Sequence, residues 1–171
     1  MNNLILDIGC GSKPWGNVNL DLNVDASTHH KFRYDPKNMM NFTNGDAQRL
    51  PYRDKCFDII VSRHCLEHLP FPLLALQDWS RVARYKVVIE IPNRPAIQEH
   101  SDHLYSWSST SLTNLCRLVF PAVDVQITGL TKYLYENPIT GRILRKSGYK
   151  QFTQRGLFFL LKPVLVAICK V

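Results

Sequence analysis

The chain has 171 residues, 45% of them apolar and 20% charged, as expected for one soluble domain with a sizeable core. No apolar stretch approaches the ~20 residues that a membrane span needs, and the opening Met1-Asn2-Asn3, with its apolar run broken at Asp7, does not read as a secretory leader. The net charge of +7 is localised, because residues 131–171 hold eight Lys/Arg against the single acid Glu136 and residues 1–130 balance.

Leu4 to Ile8 reads as a buried strand that runs into Gly9-Cys10-Gly11. Val18 to Leu22 alternates as a second strand and carries Asp21. Asn41 to Thr43, ahead of Gly45-Asp46, is a short third, and Phe57 to Ser62 a fourth. Leu66 to Val82 sets Leu66, Leu69, Leu73, Leu74 and Leu76 at helical spacing, with Pro70 and Pro72 marking where its regular part starts. Lys86 to Ile91 is a fifth strand, stopped by Pro92. Ser108 to Ser111 caps a helix over Leu112 to Phe120, which Pro121 ends. Val123 to Ile127 and Val164 to Cys169 are the sixth and seventh strands. The five cysteines are scattered, odd in number and without a C-x-x-C pair, which predicts reduced thiols and a cytoplasmic chain.

Strands alternating with helices predict an open parallel sheet with helices on its faces. Such sheets bind ligands at the carboxyl ends of their strands, where the strand order reverses. Asp7 with the glycines, Asp21, Asp46, Ser62-Arg63-His64 and Pro92-Asn93 all fall at such ends. The glycine turn is not a dinucleotide loop, since Pro14 stands where G-x-G-x-x-G has its third glycine, and no G-K-S/T phosphate loop is present. A cofactor without phosphates fits better, with backbone approach at Gly9 and Gly11 and a carboxylate at Asp21 for the two hydroxyls of a ribose.

With "LDIGCG" followed by "GDAQRLP" and "FDIIVSRHCLEHL", the sequence resembles the class I S-adenosylmethionine-dependent methyltransferases, from Leu4 to about Phe120. The resemblance implies an α/β, Rossmann-like doubly wound fold: a mostly parallel seven-stranded sheet with helices on both faces and an antiparallel last strand. It implies one domain over residues 1–171, with a basic insertion at 131–163 before that strand. It also implies S-adenosyl-L-methionine as cofactor. By it, Asp7 and the Gly9-Cys10-Gly11 backbone flank the amino-acid end, and Asp21 binds the ribose with Leu22 beside the adenine. Asp46 accepts from the adenine amino group, and the Ala47 amide donates to the ring. The Arg63 carbonyl meets the methionyl amine, and His64 lines the same pocket. The full helix that the family places between its first two strands has no room in Ser12–Asn17, so part of a lid is expected from Trp15, from His29–Tyr34, or from a second subunit of a homodimer.

Each position also has a plainer reading. Asp46 after Gly45 suits a turn, Asp7 a cap on the turn after its strand, Asp21 a solvated strand position, and Cys10 simple packing. His64 to His68 spells H-x-x-E-H, but His64 leaves a strand directly and Pro70 follows at once, so no metal is expected; Glu67 and His68 would pack at a helix start. His100 and His103, in the loop after the fifth strand, are candidate bases for a hydroxyl or amine of the methyl acceptor, or else hydrogen-bond within a surface loop. The basic stretch after the sixth strand starts on the rim of the expected site. It is read as a solvated helix face, as a surface for an anionic acceptor, or as a contact for nucleic acid or lipid. Methyl transfer to an unidentified acceptor is the expected function, an anionic one if the basic stretch meets it. A non-catalytic methyltransferase-like binding protein and a basic nucleic-acid-binding protein are the alternatives.

Overall fold

The computed structural model describes residues 3–11, 14–22, 41–93, 102–128 and 164–171. Five parallel strands lie side by side: β1 (Ile5–Ile8), β2 (Val18–Asp21), β3 (Phe42–Asn44), β4 (Phe57–Arg63) and β5 (Ala83–Pro92). The sheet is completed by β6 (Ala122–Thr128) and β7 (Val164–Lys170), in the order β3-β2-β1-β4-β5-β7-β6. The last strand, β7, is antiparallel to both of its neighbours, so β6 runs with β5. Leu6, Ile8, Leu20, Ile60, Val87, Ile89 and Leu165 are fully buried. Central strands of a covered sheet read as apolar runs for this reason.

The expected helix from Leu66 divides in two. Leu66–His68 forms a single 3-10 turn, and helix α1 spans Pro72–Val82. Proline disfavours helical backbone in the residue before it. Leu69 and Phe71, each preceding a proline, accordingly have ψ of 130° and 74°. From Pro72 the helix buries Pro72, Ala75, Leu76, Trp79 and Val82, the three-and-four spacing of one face. It then passes straight into β5, whose first residue, Ala83, is also its C-cap, so that strand begins three residues before the expected Lys86.

Helix α2 (Ser109–Arg117) starts on a capping box in which Ser108 and Ser111 each accept the other's backbone amide. It ends short of Phe120 in a turn that buries the Phe120 ring. The two helices touch each other, which puts them on one face of the sheet. The connections at 23–40 and 129–163 lie outside the described residues, and with them the expected basic insertion. Pro92 is the last residue of β5, paired with Val164, and not a stop ahead of the strand's end. No helix among the described residues is long and apolar enough to cross a membrane.

Candidate functional site

Strand order reverses between β1 and β4, since the chain leaves β1 toward β2 and β3 and returns to extend the sheet through β4 and β5 on the other side. The glycine turn sits at this point. The Gly9 and Cys10 amides both donate to the Leu20 carbonyl, at 2.8 and 3.2 Å, folding the turn over the end of β2. The Gly11 amide donates to Asp21 Oδ2 at 2.9 Å. Both glycines have positive φ, +67° and +53°. A side chain at Gly9 would stand 2.6 Å from Cys65 Cβ, whereas one at Gly11 would meet no described atom within 4 Å. Gly9 therefore packs the turn and Gly11 leaves backbone open to an incoming group.

The crossover from β1 to β2 needs no helix in its described part. Gly16 lies flat on β1, where an added Cβ would be 2.7 Å from the Asp7 amide nitrogen. Asn17 holds it there through Oδ1, which accepts from the Ile5 amide at 2.9 Å.

Asp7 is fully buried. Its Oδ2 accepts from the Trp15 amide at 2.8 Å and from Arg63 Nη2 at 3.1 Å. Burial pushes its carboxyl pKa up, and the Arg63 charge opposes that rise. Asp7 thus caps the following turn and is matched by an arginine. Of the three aspartates at the strand ends, Asp7 stands in an ion pair. The Arg63 guanidinium also lies over the exposed Trp15 ring, 5.5 Å from its centroid.

The ends of β2 and β3 are tied together. The Gly45 amide donates to the Asp21 carbonyl at 3.0 Å, and Asn44 Nδ2 to the Leu22 carbonyl at 2.8 Å. Asp46 is exposed and its Oδ1 accepts from the Gln48 amide at 2.8 Å, the turn role weighed from the sequence. Ala47 is buried, and its carbonyl accepts from Trp79 Nε1 at 2.8 Å. Leu22 is 62% exposed beside them. Helix α1 braces this loop further, with Asp78 accepting from the Leu50 amide and Arg81 donating to the Leu50 and Tyr52 carbonyls.

His64 turns the chain off β4 at φ +51°. Its Nδ1 is 3.5 Å from Glu67 Oε1 and its Nε2 3.5 Å from Glu90 Oε1. The neighbouring carboxylates of Glu67 and then Glu90 raise its pKa to about 9. His64 is therefore a cation at neutral pH and not a proton acceptor. The His103 ring packs edge-on to His68, with centroids 4.7 Å apart. The loop carrying His103 is clamped to the turn after β4, where the Leu104 and Tyr105 amides donate to the Glu67 carbonyl. His100 lies outside the described residues.

Sequence reasoning did not find the Arg63–Asp7 pair, the role of Glu90 beside His64, or the full burial of Glu67. The first follows from the register of β1 against β4, which only the structure shows. Asp7 and Val61 are register partners on adjacent strands, and Arg63, two residues on, projects to the same face as Val61.

The model of a methyltransferase domain family matches residues 6–89. No curated protein matches the chain in sequence. Solved structures match its fold over nearly all of its length. An S-adenosylmethionine-dependent methyltransferase from Archaeoglobus fulgidus is 19% identical, with a TM-score of 0.62 over 98% of this chain and 85% of that one. One from Thermotoga maritima is 16% identical, with a TM-score of 0.61 over 100% and 84%. The [4+2]-cyclase SpnF is 15% identical, with a TM-score of 0.59 over 98% and 75%. At these identities the likeness is one of fold.

Proposed function

We propose that this chain, whose residues 6–89 match the model of a methyltransferase domain family, is a class I S-adenosylmethionine-dependent methyltransferase that transfers a methyl group from S-adenosyl-L-methionine to an anionic acceptor not yet identified. The observation that carries the reading is the glycine turn latched to Asp21, with Gly11 open on one side and Asp46 on the next strand end. A carboxylate has about four lone-pair sites. The Gly11 amide occupies one of those on Asp21, and the ribose hydroxyls are the ligand groups proposed to meet the same carboxylate. Carboxylates at the ends of β2 and β3 suit a nucleoside and repel a diphosphate.

When bound, the cofactor supplies an electrophilic methyl group on a sulfonium. The residues of this chain hold and orient it. Asp21 fixes the ribose, and Leu22 covers one side of the adenine. Asp46 and the Ala47 amide read its edge, on a loop that Trp79 and Arg81 keep rigid. The amino-acid end meets the Gly9–Gly11 backbone and the Arg63 carbonyl, with the Asp7–Arg63 pair offering one charge of each sign to its ammonium and carboxylate. Holding an acceptor in line with the methyl group can supply ~7–11 kcal/mol without a strong base. That agrees with a His64 already protonated. We place the chain in a reducing compartment, the cytoplasm, on its five free cysteines.

Calorimetry with S-adenosylmethionine and its demethylated product tests the reading. Binding below millimolar concentration is expected, and no binding at millimolar cofactor overturns it. A second reading is supported by the cyclase neighbour: a methyltransferase-like protein that holds the cofactor without transferring its methyl group. Cofactor binding with no turnover on a broad acceptor panel favours this one. If the basic segment meets nucleic acid instead, affinity falls steeply with salt, and neutralising Arg142, Arg145, Lys146 and Lys150 removes that dependence.

A further inference from the structure

Glu67, His68 and His103 bring three donor atoms together outside the groups assigned to the cofactor. One donor atom from each lies within 4.8 Å of the others. They reach this arrangement from two stretches of chain. Glu67 and His68 sit on the 3-10 turn that follows β4, and His103 on the loop that follows β5. The Leu104 and Tyr105 amides donate to the Glu67 carbonyl at 2.9 and 3.2 Å, and Tyr105 Oη donates to the Pro70 carbonyl at 2.8 Å. These bonds set the register of one stretch against the other.

Two further observations point to a ligand there. First, Glu67 is fully buried, and among the described residues neither of its carboxylate oxygens accepts a hydrogen bond and its ion-pair partner is His64, whose Nδ1 stands 3.5 Å from Oε1. The half-exposed His64 cation faces Oε1 only, so among the described residues the buried Oε2 still lacks a donor or a cation. Second, His68 Nδ1 is 3.1 Å from the Asp102 carbonyl oxygen. A carbonyl only accepts, so Nδ1 carries the proton, and in the neutral ring Nε2 keeps its lone pair. A backbone carbonyl that fixes the tautomer in this way is the usual support of a metal-bound histidine.

We propose that Glu67, His68 and His103 form a site for one divalent transition-metal ion, zinc by the nature of the donors. Two imidazoles and a carboxylate are a known zinc donor set, and three protein ligands leave a fourth tetrahedral position to water or another small ligand. Ligand atoms around a tetrahedral zinc stand about 3.4 Å apart. From the 4.8 Å limit, the cluster needs to contract by up to about 1.4 Å to reach that spacing, which an exposed His68 on a surface turn accommodates. The H-x-x-E-H spelling of the sequence plays no part as such. His64 faces Glu67 and Glu90 instead, and the second imidazole comes from His103.

The test is a titration of the full chain, stripped with a chelator, with zinc chloride by calorimetry and with cobalt chloride by visible absorption. No S-adenosylmethionine is present, so the outcome is independent of the cofactor reading. One zinc per chain is expected at micromolar affinity or tighter, with the visible bands of tetrahedral cobalt. His68→Ala and His103→Ala are each expected to weaken zinc at least tenfold and to abolish those bands, with thermal melts close to wild type. Glu67→Gln tests the third ligand in the same way. Zinc affinity weaker than about 0.1 mM overturns the site. So does an unchanged affinity or cobalt spectrum in the folded His68→Ala/His103→Ala double variant, which would put the ion on other histidines.

Discussion

Arg63 Nη2 stands 3.1 Å from Asp7 Oδ2, joining the ends of two adjacent parallel strands at the point where strand order reverses. The carboxylate is fully buried and the guanidinium side chain is 29% exposed. The pair therefore holds the most costly buried charge of the β1 end in place.

Removing the arginine makes that cost visible. Arg63→Ala is expected to lower stability by about 2 kcal/mol at neutral pH, less than for a pair buried on both sides because Arg63 reaches solvent. The pH dependence has a definite sign. The folded pKa of Asp7 already lies above its ordinary 3.8, and losing Arg63 raises it further. A raised carboxyl contributes its full stability at low pH and loses it as pH rises through the folded value. The deficit of the variant against wild type is therefore smallest near pH 4 and grows toward neutrality. Denaturant unfolding of both proteins across that range checks it, and a constant deficit would show that Asp7 does not titrate there.

Asp21→Ala is expected to weaken S-adenosylmethionine binding at least tenfold, about 1.4 kcal/mol, with the fold retained. Calorimetry and circular dichroism on the same samples separate the two effects. Equal affinity in the variant would remove Asp21 from the cofactor site.

The two glycines of the turn separate packing from access. Gly9→Ala meets Cys65 Cβ at 2.6 Å and keeps a φ of +67°, so it should unfold the turn or cost more than about 2 kcal/mol. Gly11→Ala carries only the cost of its positive φ, about 1–2 kcal/mol, yet its methyl group enters the open side of the turn. Its cofactor affinity should fall more than its stability. Thermal melts that rank the two variants the other way round would show that the turn is built differently.

Trp79→Phe removes the donor to the Ala47 carbonyl from a fully buried position. A lost buried hydrogen bond with some lost volume predicts about 2–4 kcal/mol of destabilisation. The loop at 46–50 should loosen with it. Faster amide exchange at Gln48 and Leu50, with weaker cofactor binding, is the expected signature.

The strands and α1 were legible because their burial follows simple periods. Leu6 and Ile8 on β1, or Ala75, Leu76 and Trp79 on α1, announce their buried faces directly. The start of the helix was blurred because spacing continued through Leu66 and Leu69 while Pro70 and Pro72 broke the backbone. The Asp7–Arg63 pair needed the register of β1 against β4, which composition does not encode. The setting of Glu67 was hidden for another reason. Its neighbours come from a loop some 35 residues on, and loop contacts have no period to read. His100 and the basic stretch at 131–163 lie outside the described residues.

β7 lies between β5 and β6 and pairs with each over seven residues, from Val164 to Lys170. Because β6 has no direct partner in β5, it cannot join the sheet until β7 has been synthesised. On the ribosome, β1 to β5 can assemble first, leaving one margin of β5 unzipped while β6 waits. A nascent chain stopped before Val164 should therefore expose that margin to strand exchange with other chains. Addition of a peptide spanning Val164–Lys170 would be the natural way to seal it.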